Sequence, residues 1–186
     1  GTYRVAVFRA ELKNEIHFDS STFANVNLPP TQRSGAEVEG KWTLATNMVV
    51  YANYTYTEAR FRSGSLGGAD VSGNRIPLVP RHMVNAGIDW SIRERTQLNA
   101  IVHYVGKQLY DGDESNTFGR EMPEYWTLDM GVFHTIEDWT FGASVRNLFD
   151  EQYYTYALAI TFPASTFVAY PAPERNFLAS MQYRFR

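Results

Sequence analysis

Three acidic side chains stand close together in residues 110–116, whose sequence is YDGDESN. The carboxylates of Asp111, Asp113 and Glu114 are hard oxygen ligands, and their spacing partly matches the start of a calcium-binding loop. The remaining ligand positions of such a loop are missing from the residues that follow. The pattern is incomplete, and we expect no calcium ion to bind here.

Histidines form no metal-binding or catalytic pattern in this chain. His17, His82, His103 and His134 lack the spacing of metal ligands, and each is expected to lie alone. His103 and Asp89 can face one interior, but no Gly-x-Ser-x-Gly motif and no nucleophile beside a base accompanies them. The absence of cysteine excludes thiolate metal sites and cysteine nucleophiles. We therefore expect neither an enzyme nor a bound metal or other cofactor.

Phosphate and nucleic-acid binding are not indicated either. The glycine-rich run GSLGGAD, residues 64–70, is not followed by Lys-Ser or Lys-Thr and has no strand–helix context, so it is no phosphate-binding loop. It is typical of a mobile surface loop. The formal net charge of −3 and the lack of a basic stripe argue against nucleic acid as a partner.

Alternation of apolar and polar side chains predicts eight β-strands, each with two different faces. The pattern is clear in six segments, residues 35–44, 82–92, 96–106, 125–135, 139–146 and 177–185. Residues 2–12 and 48–59 form two further strands whose faces the pattern does not assign. No capped segment with a period of 3.6 residues is found, and no apolar run approaches the length of a membrane helix.

The predicted connections between these strands alternate in length. Three are short turns, at residues 45–47, 93–95 and 136–138. Four are long, at residues 14–33, 62–81, 109–122 and 150–175. All eight prolines, Pro163 among them, fall in the long connections or at their edges, as proline interrupts the hydrogen bonds of a sheet. This arrangement predicts an antiparallel up-and-down meander with two unlike ends.

Trp42, Trp90 and Trp139 all lie within a few residues of the short turns and on the apolar face. An indole combines an apolar body with a polar N–H, which suits a membrane interface. Strands of about 10–13 residues tilted by roughly 40° span on the order of 25–30 Å, the apolar band of an outer-membrane barrel. We therefore predict an all-β transmembrane barrel, with these tryptophans as its interface girdle. A soluble β-sandwich or lipocalin-like barrel, with the apolar face inside, is the alternative.

Several motifs resemble the TonB-dependent outer-membrane receptors. The runs SVRNLFDEQYY and ERNFLASMQYRF, residues 144–154 and 174–185, resemble the C-terminal signature of that family. Earlier pieces agree in the same order, namely RSGAEVEGKW, NYTYTEARF and IPLVPRHMVNAGIDW, which begin at residues 33, 53 and 76. The resemblance covers almost the whole chain.

This resemblance implies a 22-stranded barrel with an N-terminal plug domain, crossing the outer membrane of a Gram-negative bacterium many times. Such receptors bind a scarce nutrient, usually a ferric siderophore and sometimes haem or a cobalamin, and are driven by the TonB complex. Residues 1–186 are expected to be the C-terminal part of the barrel, its last eight strands, without the plug. The alternative is a self-contained eight-stranded barrel with a structural or adhesive role.

The resemblance also implies that aromatic and arginine side chains in outward loops contact the ligand. The candidates are Arg62, Arg75, Arg81, Tyr110, Arg120, Tyr154 and Tyr156. The tyrosines equally suit an aromatic girdle at the outer interface, and Tyr154 suits it better. The arginines are better ligand candidates because a girdle does not need them, although they can also meet lipopolysaccharide phosphates.

The last predicted strand resembles the signal that the barrel assembly machinery reads. Its alternating aromatics end in Tyr183 and Phe185, but Phe185 is followed by Arg186, which departs from the usual pattern. The expected partners are thus this machinery, outer-membrane lipid and lipopolysaccharide, the TonB complex through a part outside this chain, and a ferric chelate.

Overall fold

The computed structural model describes residues 1–19, 23–160 and 165–185. All regular secondary structure in these residues is β-strand. The described residues contain no helix that is long and apolar enough to cross a membrane. Pro163, a predicted loop proline, and Arg186, the departure from the assembly pattern, lie outside the described residues. In chain order the strands are β1 (Thr2–Leu12), β2 (Ile16–Asp19), β3 (Ala24–Asn27), β4 (Thr31–Ala45), β5 (Met48–Phe61), β6 (Ser65–Leu66), β7 (Ala69–Asp70), β8 (His82–Arg93), β9 (Thr96–Val105), β10 (Tyr125–Ile136), β11 (Trp139–Arg146), β12 (Tyr154–Ile160), β13 (Thr166–Pro171) and β14 (Asn176–Tyr183).

Eight of these strands form one antiparallel sheet, in the order β1-β4-β5-β8-β9-β10-β11-β14. They are the eight strands predicted from alternation, and their neighbours in the sheet are their neighbours in sequence. The three short turns, which join β4 to β5, β8 to β9 and β10 to β11, lie at one end of the sheet. The prediction of a meander with two unlike ends is confirmed. The sheet is not closed, since β1 and β14 are its two edges.

The long connections are not plain loops, contrary to the sequence-based expectation. Three of them contain two-stranded hairpins of their own, β2–β3, β6–β7 and β12–β13. The run GSLGGAD, predicted as a loop, forms β6 and β7 around Gly67 and Gly68, whose φ angles are +58° and +84°. Two consecutive left-handed residues make the tight turn whose twist matches a hairpin, and glycine adopts it without steric cost.

The register gives the sheet one continuous apolar face. Cross-strand partners lie on the same face, so a row of partners can be followed from strand to strand. One such row runs over seven strands and consists of Trp42, Val50, Ile88, Ala100, Met130, Val145 and Phe177. The predicted apolar faces of six strands are thus one surface, and the row assigns Val50 of β5 to it as well. Large side chains on this surface are exposed, such as Phe177 at 75%.

The opposite face is polar. One row on this face runs from Glu39 through Asn53, Asn85 and His103 to Thr127. Asn85 donates from Nδ2 to Asn53 Oδ1 at 2.9 Å, and His103 Nδ1 lies 2.6 Å from Asn85 Oδ1. His103 is therefore held by an amide ladder.

Buried apolar side chains gather at the long-loop end of the sheet rather than along it. One cluster contains Ala59, Phe61, Val71 and Ile76. A second contains Tyr110, Phe118, Met122 and Ala157. The first cluster joins residues of β5 to the second long connection, and the second cluster joins the third long connection to the fourth. The long connections are therefore packed together at this end of the sheet.

Candidate functional site

The four long connections form a layer at one end of the sheet, which we call the loop layer (residues 13–30, 62–81, 106–124 and 147–175, except 20–22 and 161–164). Its centre is the third connection, which is bonded to the second and the fourth through the backbone. Leu78 N–H donates to Leu109 O at 3.1 Å. Asp111 N–H donates to Ala157 O at 2.9 Å, and Ala159 N–H donates to Asp111 O at 2.8 Å. The third connection is thereby held between the second and the fourth.

The side chain of Asn116 links the second connection to the third through two hydrogen bonds. Its Oδ1 accepts the Arg75 N–H at 2.8 Å, and its Nδ2 donates to the Arg75 carbonyl oxygen at 3.0 Å. Asn74 adds a hydrogen bond from Nδ2 to the Glu114 carbonyl oxygen at 3.0 Å. Asn116 has a φ of +58°, a left-handed conformation that asparagine tolerates better than most residues.

Asp113 organises the turn that follows it. Its Oδ1 accepts N–H groups from Thr117 at 2.8 Å and from Phe118 at 3.0 Å. The side chain is almost fully buried, and its Oδ2 has no hydrogen-bond partner among the described residues. Burial raises the pKa of Asp113, while the hydrogen bonds from Phe118 and Thr117 act in the opposite direction. Asp113 is thus a structural acceptor for the backbone.

His17 does not lie alone, contrary to the sequence-based expectation. Its Nε2 lies 3.3 Å from Glu114 Oε1 and 3.9 Å from Asp111 Oδ1. The hydroxyl of Tyr156 donates to Asp111 Oδ2 at 2.5 Å. This hydrogen bond, together with burial, raises the pKa of Tyr156 to about 12. Burial also raises the pKa of Glu114. The first, third and fourth connections therefore meet at one polar cluster.

The predicted ligand tyrosines lie in or beside the second apolar cluster. Tyr110 is 3% exposed, packs edge-to-face on Phe118 with the ring centroids 5.2 Å apart, and its hydroxyl lies 3.1 Å from that of Tyr154. Burial raises the pKa of Tyr110 well above its ordinary range. Tyr156 is 36% exposed and packs on Tyr170 with the centroids 5.6 Å apart. Tyr110 thus supports the layer from within, while Tyr156 reaches its surface.

Three of the four predicted ligand arginines are paired with carboxylates. Arg62 pairs with Glu11, Arg75 with Glu121, and Arg81 with Glu58. Each pair ties a loop-layer residue to a strand or to another part of the layer.

Arg120 differs from these three, since it forms no ion pair among the described residues. Its guanidinium carbon lies 5.6 Å from the centroid of the Phe118 ring, over the ring face. Arg120 lines a cavity of about 470 Å³ together with Lys107, Asn116 and Glu121. The lining also contains Asp113, so it carries two cations and two carboxylates, and it suits a polar ligand. The sequence did not single out Lys107, because an isolated lysine near a strand end has no distinguishing pattern.

Comparison with known proteins places this architecture among known families. The family model described as TonB dependent receptor-like, beta-barrel matches residues 1–148. The iron-regulated outer membrane virulence protein of Vibrio cholerae is 27% identical over 128 residues, 68% of this chain and 19% of that protein. The ferrichrome outer membrane transporter/phage receptor of Escherichia coli is 26% identical over 190 residues, 97% of this chain and 24% of that protein.

A solved structure supports the same fold. The ferric yersiniabactin uptake receptor FyuA from Yersinia pestis superposes with a TM-score of 0.74 at 24% identity, covering 96% of this chain and 26% of that chain. At this identity the likeness shows the fold alone. The chain spans about a fifth to a quarter of the length of these relatives.

Proposed function

This chain belongs to the TonB-dependent receptor-like β-barrel family, whose model matches residues 1–148, and we propose that it is part of an outer-membrane receptor for a ferric siderophore. The family is one of transport receptors and not a class of enzymes. The proposal places residues 1–186 in the C-terminal part of the barrel, in the outer membrane of a Gram-negative bacterium, with the loop layer facing outward.

The observation that carries the proposal is the continuous apolar face of the sheet. Its large members are exposed, as Trp42 at 44% and Phe177 at 75% show. Soluble proteins rarely leave so wide an apolar surface in water. Lipid chains can cover such a surface without the free-energy cost of exposing it to water, whereas the polar face with its amide ladder suits a water-filled interior. The bilayer therefore accounts for both faces at once.

The positions of the tryptophans support the proposed girdle. In the apolar row, Trp42 is itself a member, Trp90 lies two positions beyond Ile88 towards the turns, and Trp139 lies six positions beyond Val145. Neighbouring strands are about 4.8 Å apart and tilted by roughly 40°, so successive members of a row of partners differ by about 3 Å in height along the membrane normal. Along one tilted strand, each residue corresponds to about 2.5 Å of height. From β4, two strand steps reach β8 and five reach β11. The offsets of Trp90 and Trp139 along their strands match the height differences expected for two and five strand steps. This agreement supports placing all three tryptophans at the same height in the membrane.

The open edges of the sheet support a larger barrel. Both β1 and β14 present unpaired backbone groups, which cannot stay unsatisfied in a bilayer. We propose that they pair with the remaining strands of a 22-stranded barrel. The polar face, which carries Glu37, Glu39, Lys41 and Asp129, would then meet the plug domain, and the TonB complex would act through the part of the receptor outside this chain. A self-contained barrel of these eight strands would require β1 to pair with β14, and it is not favoured.

The ligand contacts that we propose follow from exposure and pairing. Arg120 is the best candidate, with Lys107 beside it, because both line the cavity in the third connection. Tyr156 offers an exposed ring to a planar chelate. Tyr110 and Tyr154 pack in the interior of the loop layer below these residues. Arg62, Arg75 and Arg81 contribute to ligand binding indirectly, because their ion pairs stabilise the loop layer. Exposed loop cations also suit lipopolysaccharide phosphates.

The aromatic side chains in and after β14 support a role in barrel assembly. Tyr183 packs on Trp139 with the ring centroids 4.7 Å apart and on Phe185 at 4.9 Å. This aromatic stack lies at the short-turn end of β14. We propose that Tyr183 and Phe185 form the element that the barrel assembly machinery reads.

Uptake by the full-length receptor tests the proposal. Cells that lack other receptors but carry this one should accumulate radiolabelled iron from at least one member of a panel of ferric siderophores. Arg120→Ala should raise the concentration for half-maximal uptake about 10-fold or more, as expected for a lost charged hydrogen bond. Arg9→Ala is the matched control, since Arg9 is an exposed arginine of β1 bonded to Glu11 and Gln32. Uptake of cobalamin but of no iron chelate would overturn the siderophore assignment.

A further inference from the structure

We propose that His17, Asp111 and Glu114 bind a divalent transition-metal ion, for which Zn²⁺ is the best fit, and that this ion joins the first long connection to the third. The inference goes beyond the uptake of a chelate, since the ion would be held by protein side chains alone. It does not depend on which ligand the receptor carries.

The distances among the three side chains suit such an ion. His17 Nε2 lies 3.3 Å from Glu114 Oε1 and 3.9 Å from Asp111 Oδ1, and all three ligand atoms lie within 4.8 Å of one another. Tetrahedral Zn²⁺, with bonds of about 2.0–2.2 Å, needs ligand atoms roughly 3.3–3.5 Å apart. Small rotations of the carboxylates therefore suffice to reach this geometry.

Asp111 is held in place by groups that do not touch the proposed ion. Its backbone is bonded on both sides to the fourth connection, through Ala157 and Ala159. The Tyr156 hydroxyl engages Oδ2 at 2.5 Å and leaves Oδ1 on the side of His17. Hydrogen bonds of this kind orient metal ligands and are a regular part of metal sites.

Glu114 is held equally firmly from its backbone. Asn74 Nδ2 donates to its carbonyl oxygen, and Asp113 Oδ1 anchors the turn that follows through Thr117 and Phe118. The site is thus built on a rigid turn, and the metal would not have to order it.

The charge balance of the cluster points to a bound cation. The side chains of Asp111 and Glu114 are only 9% and 15% exposed. Among the described residues neither carboxylate forms an ion pair with lysine or arginine, and His17 is the sole basic group beside them. Two carboxylates that share a largely dry site repel each other unless a cation neutralises them. A divalent ion provides that charge at the centre of the cluster.

The ligand types select the class of ion. One imidazole nitrogen with two carboxylate oxygens suits Zn²⁺ and related first-row divalent ions better than Ca²⁺ or Mg²⁺, which prefer oxygen alone. Three protein ligands also leave one position of a tetrahedral ion open for water or an incoming ligand atom.

Metal titration of the full-length receptor tests this proposal. The purified receptor in detergent, stripped with a chelator, is titrated with Zn²⁺ in a calorimeter and with Co²⁺ while its visible absorption is recorded. We expect one Zn²⁺ per receptor at this site and a Co²⁺ spectrum with nitrogen and oxygen ligands. His17→Gln and Glu114→Gln should each weaken binding at least 100-fold. Tyr156→Phe should weaken it about 10-fold, because it removes only the orienting hydrogen bond.

Asp70→Asn is the matched control, since Asp70 is an exposed carboxylate of the β6–β7 hairpin and should leave Zn²⁺ binding unchanged. Far-UV circular dichroism of every variant separates lost binding from lost folding. Equal Zn²⁺ affinities of the wild type and the folded His17→Gln variant would overturn the proposal. Iron uptake, measured on the same variants, distinguishes this outcome from a failure of the receptor assignment.

Discussion

Asn116 completes the hydrogen bonding of Arg75 as a neighbouring strand would, since its side-chain amide accepts the Arg75 N–H at 2.8 Å and donates to the Arg75 carbonyl oxygen at 3.0 Å. The two residues lie 41 positions apart in sequence. This amide thus helps to tie the second long connection to the third and satisfies a partly buried backbone unit.

Asn116→Ala should loosen this link. The Arg75 N–H and carbonyl oxygen would lose both partners, at a cost of about 1–3 kcal/mol in local opening free energy. Hydrogen–deuterium exchange of the Arg75 amide should accelerate accordingly. Ser115→Ala is the control, because within the described part of the chain the Ser115 hydroxyl is bonded only to the nearby Thr117 side chain. Unchanged protection of Arg75 in the Asn116 variant would contradict the link.

Gly35→Ala should impair barrel folding far more than Gly87→Ala. A Cβ at Gly35 would overlap the Tyr56 carbonyl oxygen, which belongs to the paired backbone and cannot move freely. A Cβ at Gly87 would lie 2.5 Å from Tyr51 Cζ, at the far end of a side chain that can turn. We expect a cost of about 1–3 kcal/mol at Gly35, measured by urea unfolding in detergent. Equal midpoints for the two variants would argue against the close approach.

Val145→Asp should reduce the yield of folded receptor in the membrane far more than Ser144→Asp. Val145 lies in the apolar row between Met130 and Phe177, where a carboxylate would enter lipid. Ser144 points to the opposite, polar face. The measurement is the amount of protease-resistant receptor in isolated outer membranes. Similar amounts of the two variants would refute the assignment of the faces.

Asp113→Asn and Asp113→Ala should separate the roles of charge and acceptor. Asparagine keeps an Oδ1 that can accept the Thr117 and Phe118 N–H groups, and it removes a charge that burial disfavours. Alanine removes the acceptor and leaves both N–H groups unsatisfied. We therefore expect amide exchange at Thr117 and Phe118 to rise about 10-fold or more in the alanine variant only. Faster exchange in both variants would show that the carboxylate charge itself holds the turn.

The strands and their faces could be predicted from sequence because each depends on local alternation. Val84 to Trp90 and Phe141 to Val145 show the period of two that any half-buried strand must show. The short turns followed from the gaps between these segments. The hairpin β2–β3 was missed because each of its strands has only four residues, and β12–β13 was missed because its strands, YTYALAI and TFVAYP, are mainly apolar on both faces and show no alternation.

The sequence predicted the residue types of the candidate site, but it did not predict which of these side chains are buried. Arg120 stood out as a loop arginine, and residues 110–116 as an acidic run, but neither pattern indicates which side chains are buried. Tyr110 was chosen as an exposed ligand residue, yet its ring lies inside a cluster with Phe118 and Met122. Burial in a loop layer depends on how several connections pack together, and no single segment contains that information.

The amino-acid sequence alone determined the all-β class, the eight long strands, their apolar face and the family, because these follow from patterns within short stretches of chain. Only the tertiary structure decided that Asn116 binds Arg75, that Lys107 and Arg120 share a cavity, and that His17 meets Asp111 and Glu114. The physical reason is that such contacts join residues far apart in sequence. Their geometry is set by the lengths, turns and packing of whole connections, while local periodicity constrains only a residue's own strand.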